Sequence, residues 1–192
     1  SSALREYERS RSLDSDAPAA YLRLAALESR QGSNLQRRAD GDFVRADQLY
    51  RRLLDSEGMA ELAYRRSYRQ SILGNFAEAE QLAKESLDTA ARMPDVQLEV
   101  RALCRLSAIR HGRHDEDDAI AWAEKAIGLA RENGLEYWAT DALLREGAGY
   151  LGKGDPKKAE GCFTQALQAA TRNQWPRLVA LAEVYLATFR DR

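Results

Sequence analysis

Apolar positions along this chain recur at intervals of three and four rather than two. Leu98, Ala102, Leu106 and Ile109 form one stripe, and Ala119, Ala123, Ala126 and Ala130 form another, with Ile120 and Ile127 beside it. Such spacing gathers the apolar side chains on one face of an α-helix. No alternating run surrounds Val44, Val96, Val100, Val179 or Val184, so strands are not expected. Gly41-Asp42, Gly74-Asn75, Gly112-Arg113-His114 and Gly152-Lys153-Gly154-Asp155 interrupt the stripes. Glycine ends one helix there, and the polar residue after it can cap the next. Asp155-Pro156 is the sharpest such signal, an acceptor followed by a residue pre-set for the first helical position. Pro94-Asp95, Asn133-Gly134 and Gln174-Trp175-Pro176 supply the alternate breaks. The pattern predicts helices over 3–13, 18–31, 43–55, 58–73, 76–92, 95–111, 116–132, 136–151, 156–172 and 176–190.

The chain also repeats itself. Ala79-Glu80-Gln81-Leu82-Ala83, Ala119-Ile120-Ala121-Trp122-Ala123 and Ala159-Glu160-Gly161-Cys162-Phe163 open similar phrases forty residues apart. Ala46-Asp47-Gln48-Leu49-Tyr50 is a looser copy, thirty-three residues before Ala79. Self-similarity at such a period marks a stack of small helical units. The expected organisation is a single repeat domain over 1–192, with repeats at 18–55, 58–92, 95–132 and 136–172. A last helix over 176–190 serves as a cap or as half of a further repeat.

These units resemble tetratricopeptide repeats. In that family a small residue begins the second helix, a bulky one follows four later, an Ala seven later, and a Gly lies five before. Ala159, Phe163, Ala166 and Gly154 match all four, and Gly147 and Tyr150 match the first helix of the unit. Ala46 with Tyr50 and Gly41, and Ala79 with Gly74, match in part; Ala83 is small where bulk is usual, and Ser86 replaces Ala. Ala119 and Ala126 match, with His114 in place of Gly and Ala123 in place of bulk. The resemblance covers roughly 20–190. The common repeat is about 34 residues long. The longer spacing here is similar to that of the longer-helix repeats of bacterial signalling and transcriptional regulators. The resemblance implies an all-α, right-handed superhelical solenoid of helical hairpins that binds a partner on its concave face.

Composition narrows the function. The chain has 192 residues, 44% of them hydrophobic and 31% charged, with a formal net charge of -1. That balance points to no polyanionic or membrane partner. The basic pairs Arg37-Arg38, Arg51-Arg52 and Arg65-Arg66 lie near acidic residues and outside any nucleic-acid recognition motif. Two cysteines, Cys104 and Cys162, sit within apolar helical patterns and read as buried thiols. No stretch has the length of a membrane span and no signal peptide opens the chain, so a cytoplasmic protein is expected. The chain starts on Ser1-Ser2 rather than Met, which leaves room for a preceding leader or domain.

Candidate chemistry is sparse. His111 and His114, with Asp115, Glu116, Asp117 and Asp118, fit no standard zinc or calcium spacing. The acidic run reads as the favourable first turn of a helix. The glycines from Gly147 to Gly154 follow no strand, so they form no phosphate loop. No nucleophile has a base and an orienting group beside it in a known motif. The reading is therefore a chain that is not an enzyme and needs no metal or cofactor.

The repeat register singles out arginines instead. Arg65, Arg105 and Arg145 are spaced by forty, with Arg69 and Arg101 one turn away from the first two. Arginine grips a carboxylate through paired hydrogen bonds, so such a row suits an acidic peptide. Tyr64 and Tyr68 flank it as stacking candidates. The competing reading pairs these arginines with Glu61, Glu99, Asp141 or Glu146. Some tetratricopeptide domains clamp a peptide carboxylate; Arg101 and Arg105 fall where that clamp is basic, whereas Tyr68 and Ala108 stand where it has asparagines. Tyr137, Trp138 and Trp175 read as packing at inter-repeat turns, and Trp122 as a partly exposed contact point. The function expected is a protein-interaction scaffold binding a peptide or protein segment, or a ligand-sensing segment of a larger bacterial regulator. Self-association through the last helix is a further possibility.

Overall fold

A computed structural model describes residues 17–28 and 33–190. The helix expected over 3–13 lies outside them. Among the described residues the chain is all α-helix: α1 (Ala17–Glu28), α2 (Ser33–Leu53), α3 (Ser56–Ile72), α4 (Phe76–Arg92), α5 (Val96–Gly112), α6 (Glu116–Glu132), α7 (Glu136–Gly152), α8 (Pro156–Arg172) and α9 (Pro176–Arg190). It divides between Met93 and Pro94 into two compact units, the first holding α1–α4 and the second α5–α9.

The turns keep strict time. Left-handed backbone recurs on a twenty-residue beat, at Leu54 and Gly74 and again at His114, Gly134, Gly154 and Gln174. At each of these the next residue's N–H donates back to the carbonyl five before it, as from Asp155 to Tyr150 at 2.9 Å and from Trp175 to Ala170 at 2.9 Å. That bond satisfies a carbonyl stranded at the helix end, and it requires the left-handed residue. Asp55, Asp95 and Asp155 then cap α3, α5 and α8 by accepting from Gly58, Leu98 and Lys158 backbone N–H at 2.8, 3.0 and 3.1 Å. Each cap contributes about 1 kcal/mol.

α4, α6 and α8 each lay a buried row, mostly of alanines, against their neighbours. Ala79, Ala83 and Ala90, Ala119, Ala123, Ala126 and Ala130, and Ala159, Phe163, Ala166 and Ala170 are all fully buried. Ser86, in place of Ala, is buried as well. Consecutive helices pack together within each unit, and odd helices also touch the next odd helix: α1 with α3, α5 with α7, α7 with α9. Within each unit, among the described residues, even helices make no such contact, so the odd helices form the tighter layer there. The first unit's core gathers Leu22, Ala25, Phe43, Ala46, Tyr50 and Leu62.

Bulk is exchanged between facing helices. Gly147 admits the Phe163 ring, which a Cβ would meet at 2.6 Å. Phe163 stacks on Tyr185 with centroids 4.5 Å apart. In the first unit Ser67 fills the place of Gly147 and donates to the Ala79 carbonyl at 2.7 Å, with Ala83 in the place of Phe163. Likewise Gly58 lies under the Tyr50 ring, which a Cβ would meet at 2.1 Å. In the second unit the same register pairs Ala130 with Trp138 and Ala170 with Leu178.

Two expectations require correction. Gly41-Asp42 is not a break: it lies within α2, where Ala39, Phe43 and Ala46 are buried and Asp42 is 6% exposed. The apolar stripe on both sides of Gly41 overrides its local turn signal. The helix read as ending at residue 55 ends at Leu53, and Leu54 turns.

Candidate functional site

The predicted arginines fall into different surroundings. In the first unit Arg65 Nε donates to Glu61 at 2.6 Å, one turn back on α3. Arg69 is 6% exposed, and its Nε and Nη2 grip both oxygens of Asp40 at 3.0 Å each, tying α3 to α2. This fork is an internal strut between the two helices. Tyr64 and Tyr68 are half-buried. Their forty-residue counterparts are Cys104 and Ala108, then Leu144 and Ala148.

The second unit brings its arginines together. Asp141 of α7 is 2% exposed. Arg145, one turn on, donates Nε and Nη2 to Asp141 Oδ2 at 3.0 Å each. Arg177 of α9 approaches Asp141 Oδ1 through Nη1 at 3.4 Å, and the same nitrogen donates to the Tyr137 hydroxyl at 2.9 Å. Burial pulls the Arg177 guanidinium down, but the Tyr137 hydroxyl and the Asp141 charge outweigh it, and its pKa stands above the ordinary value. Tyr137 meets Trp138 and Trp175 edge-on at 5.1 and 5.3 Å. Arg101 of α5 lies over the Trp138 ring at 5.7 Å, a cation–π distance.

Cys104 reports on the same place from below. Burial pushes its thiol up to about 12, while Arg145 and Arg105 pull it down and Asp141 adds to the rise. Arg105, Arg145 and Asp141 are thus electrostatic neighbours. Arg101, Arg105, Arg145 and Arg177 thus gather near Asp141 and Trp138. Asp141 orients Arg145 and Arg177 through charge-assisted bonds. Tyr137 and Trp138, both half-buried, give the basic group an aromatic floor.

Sequence reasoning named Arg101, Arg105 and Arg145, and its competing reading named the Glu61 and Asp141 partners that Arg65 and Arg145 take, but it missed Arg177. A signal existed. Side chains thirty-six residues apart on successive odd helices meet, as Asp141 and Arg177 do. The same offset separates Arg105 from Asp141 in sequence.

Other predicted features sit elsewhere. His111 Nδ1 lies 2.7 Å from Glu116 Oε2, and Arg110 pairs with Asp115 and Asp118 at 3.3 and 3.1 Å. Among the described residues no group of three or more His, Cys, Asp or Glu could hold a metal. Trp122 is half-buried, with Lys125 Nζ 4.5 Å from its ring centroid. Cys104 and Cys162 are buried free thiols. Among the described residues no helix is long and apolar enough to cross a membrane.

No known protein-family profile matches this chain. No curated protein matches it in sequence. Solved structures do match it. One is the crystal structure of BtubC (BKLC) from P. vanneervenii, with a TM-score of 0.71 and 21% identity over 91% of this chain and 73% of that one. At that identity the likeness concerns the fold alone: an all-helical, repeat-like arrangement.

Proposed function

We propose that this chain is a non-catalytic protein-interaction module of tetratricopeptide-like hairpins. It holds an acidic segment of a partner protein against the odd-helix layer of its second unit. The observation that carries this reading is the Asp141 centre, a buried carboxylate holding Arg145 and Arg177, with Arg101 over Trp138 beside it. A carboxylate arriving beside Asp141 meets guanidiniums already oriented, so less ordering opposes binding. The Trp138 and Tyr137 faces take an adjoining apolar or aromatic side chain. Two buried, unpaired cysteines fit a reducing, cytoplasmic setting.

The test is fluorescence anisotropy with a labelled Glu/Asp-rich peptide and its Gln/Asn counterpart. The acidic peptide binds more tightly, and its affinity falls as salt screens the charges. The double substitution Arg101→Glu, Arg105→Glu weakens it by about tenfold or more with the far-UV circular dichroism unchanged. Equal binding of the two peptides, or binding indifferent to the double substitution, refutes the reading.

A further inference from the structure

The first unit holds a pocket of about 510 Å³, a size suited to a small ligand. Its walls come from α1, the last turn of α2 and the first turns of α3. The exchange of bulk shapes it. Gly58 stands in the column that Leu98, Trp138 and Leu178 fill in α5, α7 and α9, and the Tyr50 ring lies against it instead. Tyr50 is 5% exposed, and among the described residues its hydroxyl has no hydrogen-bond partner. The charges that act on that hydroxyl are those of Asp55, Glu61, Arg23 and Arg65, and all four residues line the pocket. The phenol therefore points into it.

The charged groups of the pocket divide in two. Glu61 holds Arg65 at 2.6 Å, and Asp55 accepts from the Gly58 backbone N–H at 2.8 Å. Arg23 and Glu57 are exposed, and among the described residues neither has an ion-pair partner, although both line this one pocket. A cation, an anion and a hydroxyl thus stand uncommitted beside the apolar surface of Leu22 and Leu53. We infer that this pocket binds a small apolar zwitterion, an α-amino acid or a dipeptide with an aliphatic or aromatic side chain. Its carboxylate takes the Arg23 guanidinium and the Tyr50 O–H, and its ammonium takes the Glu57 carboxylate, in charge-assisted bonds. Its side chain packs on Leu22 and Leu53. A simple anion fits poorly, because Asp55, Glu57 and Glu61 outnumber Arg23 and Arg65 around it. A simple cation leaves Arg23 and the Tyr50 hydroxyl without a partner.

Isothermal titration calorimetry of the full chain with leucine, phenylalanine and leucyl-leucine tests this. At least one of the three is expected to bind with a Kd below about 1 mM, and failure of all three to do so overturns the inference. The ratio of the leucine and leucyl-leucine affinities tells the two ligand sizes apart. Tyr50→Phe removes the hydroxyl and keeps the ring against Gly58, and it weakens the bound ligand about tenfold. Matched deletions read the pairing. The N-acetylated ligand binds the parent chain about tenfold more weakly, and Glu57→Gln adds no further loss to it. The ligand amide behaves in the same way with Arg23→Gln. Additive losses in these pairs, or binding indifferent to all three substitutions, also overturn the inference, because the ligand then sits elsewhere. Arg101→Glu with Arg105→Glu leaves these affinities unaltered, so failure here and failure of the acidic-peptide reading are told apart.

Discussion

Two glycines seven residues apart should respond to the same substitution with opposite signs. Gly154 forms the turn into α8 at φ +80, and Gly161 lies inside α8. An added Cβ meets no atom within 4 Å at either site, so no packing is gained or lost. At Gly161 alanine removes the cost of glycine in a helix, about 1 kcal/mol. At Gly154 an L-residue in left-handed backbone costs about 1–2 kcal/mol. The reduced freedom of the unfolded chain returns about 0.5 kcal/mol of that, for a net loss of about 1 kcal/mol. The two variants therefore differ by about 2 kcal/mol. Trp122, Trp138 and Trp175 all lie in the second unit, so tryptophan fluorescence follows that unit alone. With a urea slope of about 2 kcal/mol per molar, the two midpoints fall about 1 M apart, on either side of the parent. Shifts of the same sign would refute the conformational account of the turns.

Two other substitutions probe packing and charge. Gly58→Leu clashes with the Tyr50 ring and costs about 1–3 kcal/mol; Tyr50→Ala added to it should recover much of that loss, since Ala with Leu is the pair found at 170 and 178. A double-mutant cycle by urea unfolding measures the coupling, and additive losses would dismiss the exchange of bulk. Burial, and then the Glu124 charge, raise the Glu146 pKa, with Cys162 and Arg131 opposing. The native state thus holds this proton more tightly than the unfolded chain. Its contribution is favourable in acid and is lost as pH rises from the ordinary glutamate value through the raised one. Glu146→Gln should therefore stabilise at neutral pH, with the gain vanishing in acid. Thermal melts across pH check this, and a gain confined to low pH contradicts it.

Helix periodicity carried most of the fold. The ranges 76–92, 116–132, 156–172 and 176–190 match α4, α6, α8 and α9, where Gly, Asp or Pro punctuates a strong stripe. The twenty-residue beat was hidden because three of its turns use Leu54, His114 and Gln174, whose side chains do not announce left-handed backbone. Ala83 and Ala123 looked like defects in the repeat. At Ala83 the size of the side chain follows from Ser67 on the facing helix, a pairing that a motif read along one helix does not contain. The arginine register separated into pairs of different kind for the same reason. Arg69 is defined by Asp40, twenty-nine residues away, and Arg145 by Asp141 one turn away. Only the second of these relations repeats along the chain, as it does for Arg65 and Glu61.

The timing of the left-handed turns limits how such a chain can change length. A duplication or loss of forty residues shifts the array by one hairpin and returns every side chain to its own layer. A change of twenty residues preserves every helix and every turn yet exchanges the layers beyond it. Residues built for the odd helices, the Asp141 centre among them, would then fall where the small-residue rows belong. Growth of such a unit is quantised in hairpins, and half a quantum exchanges its layers.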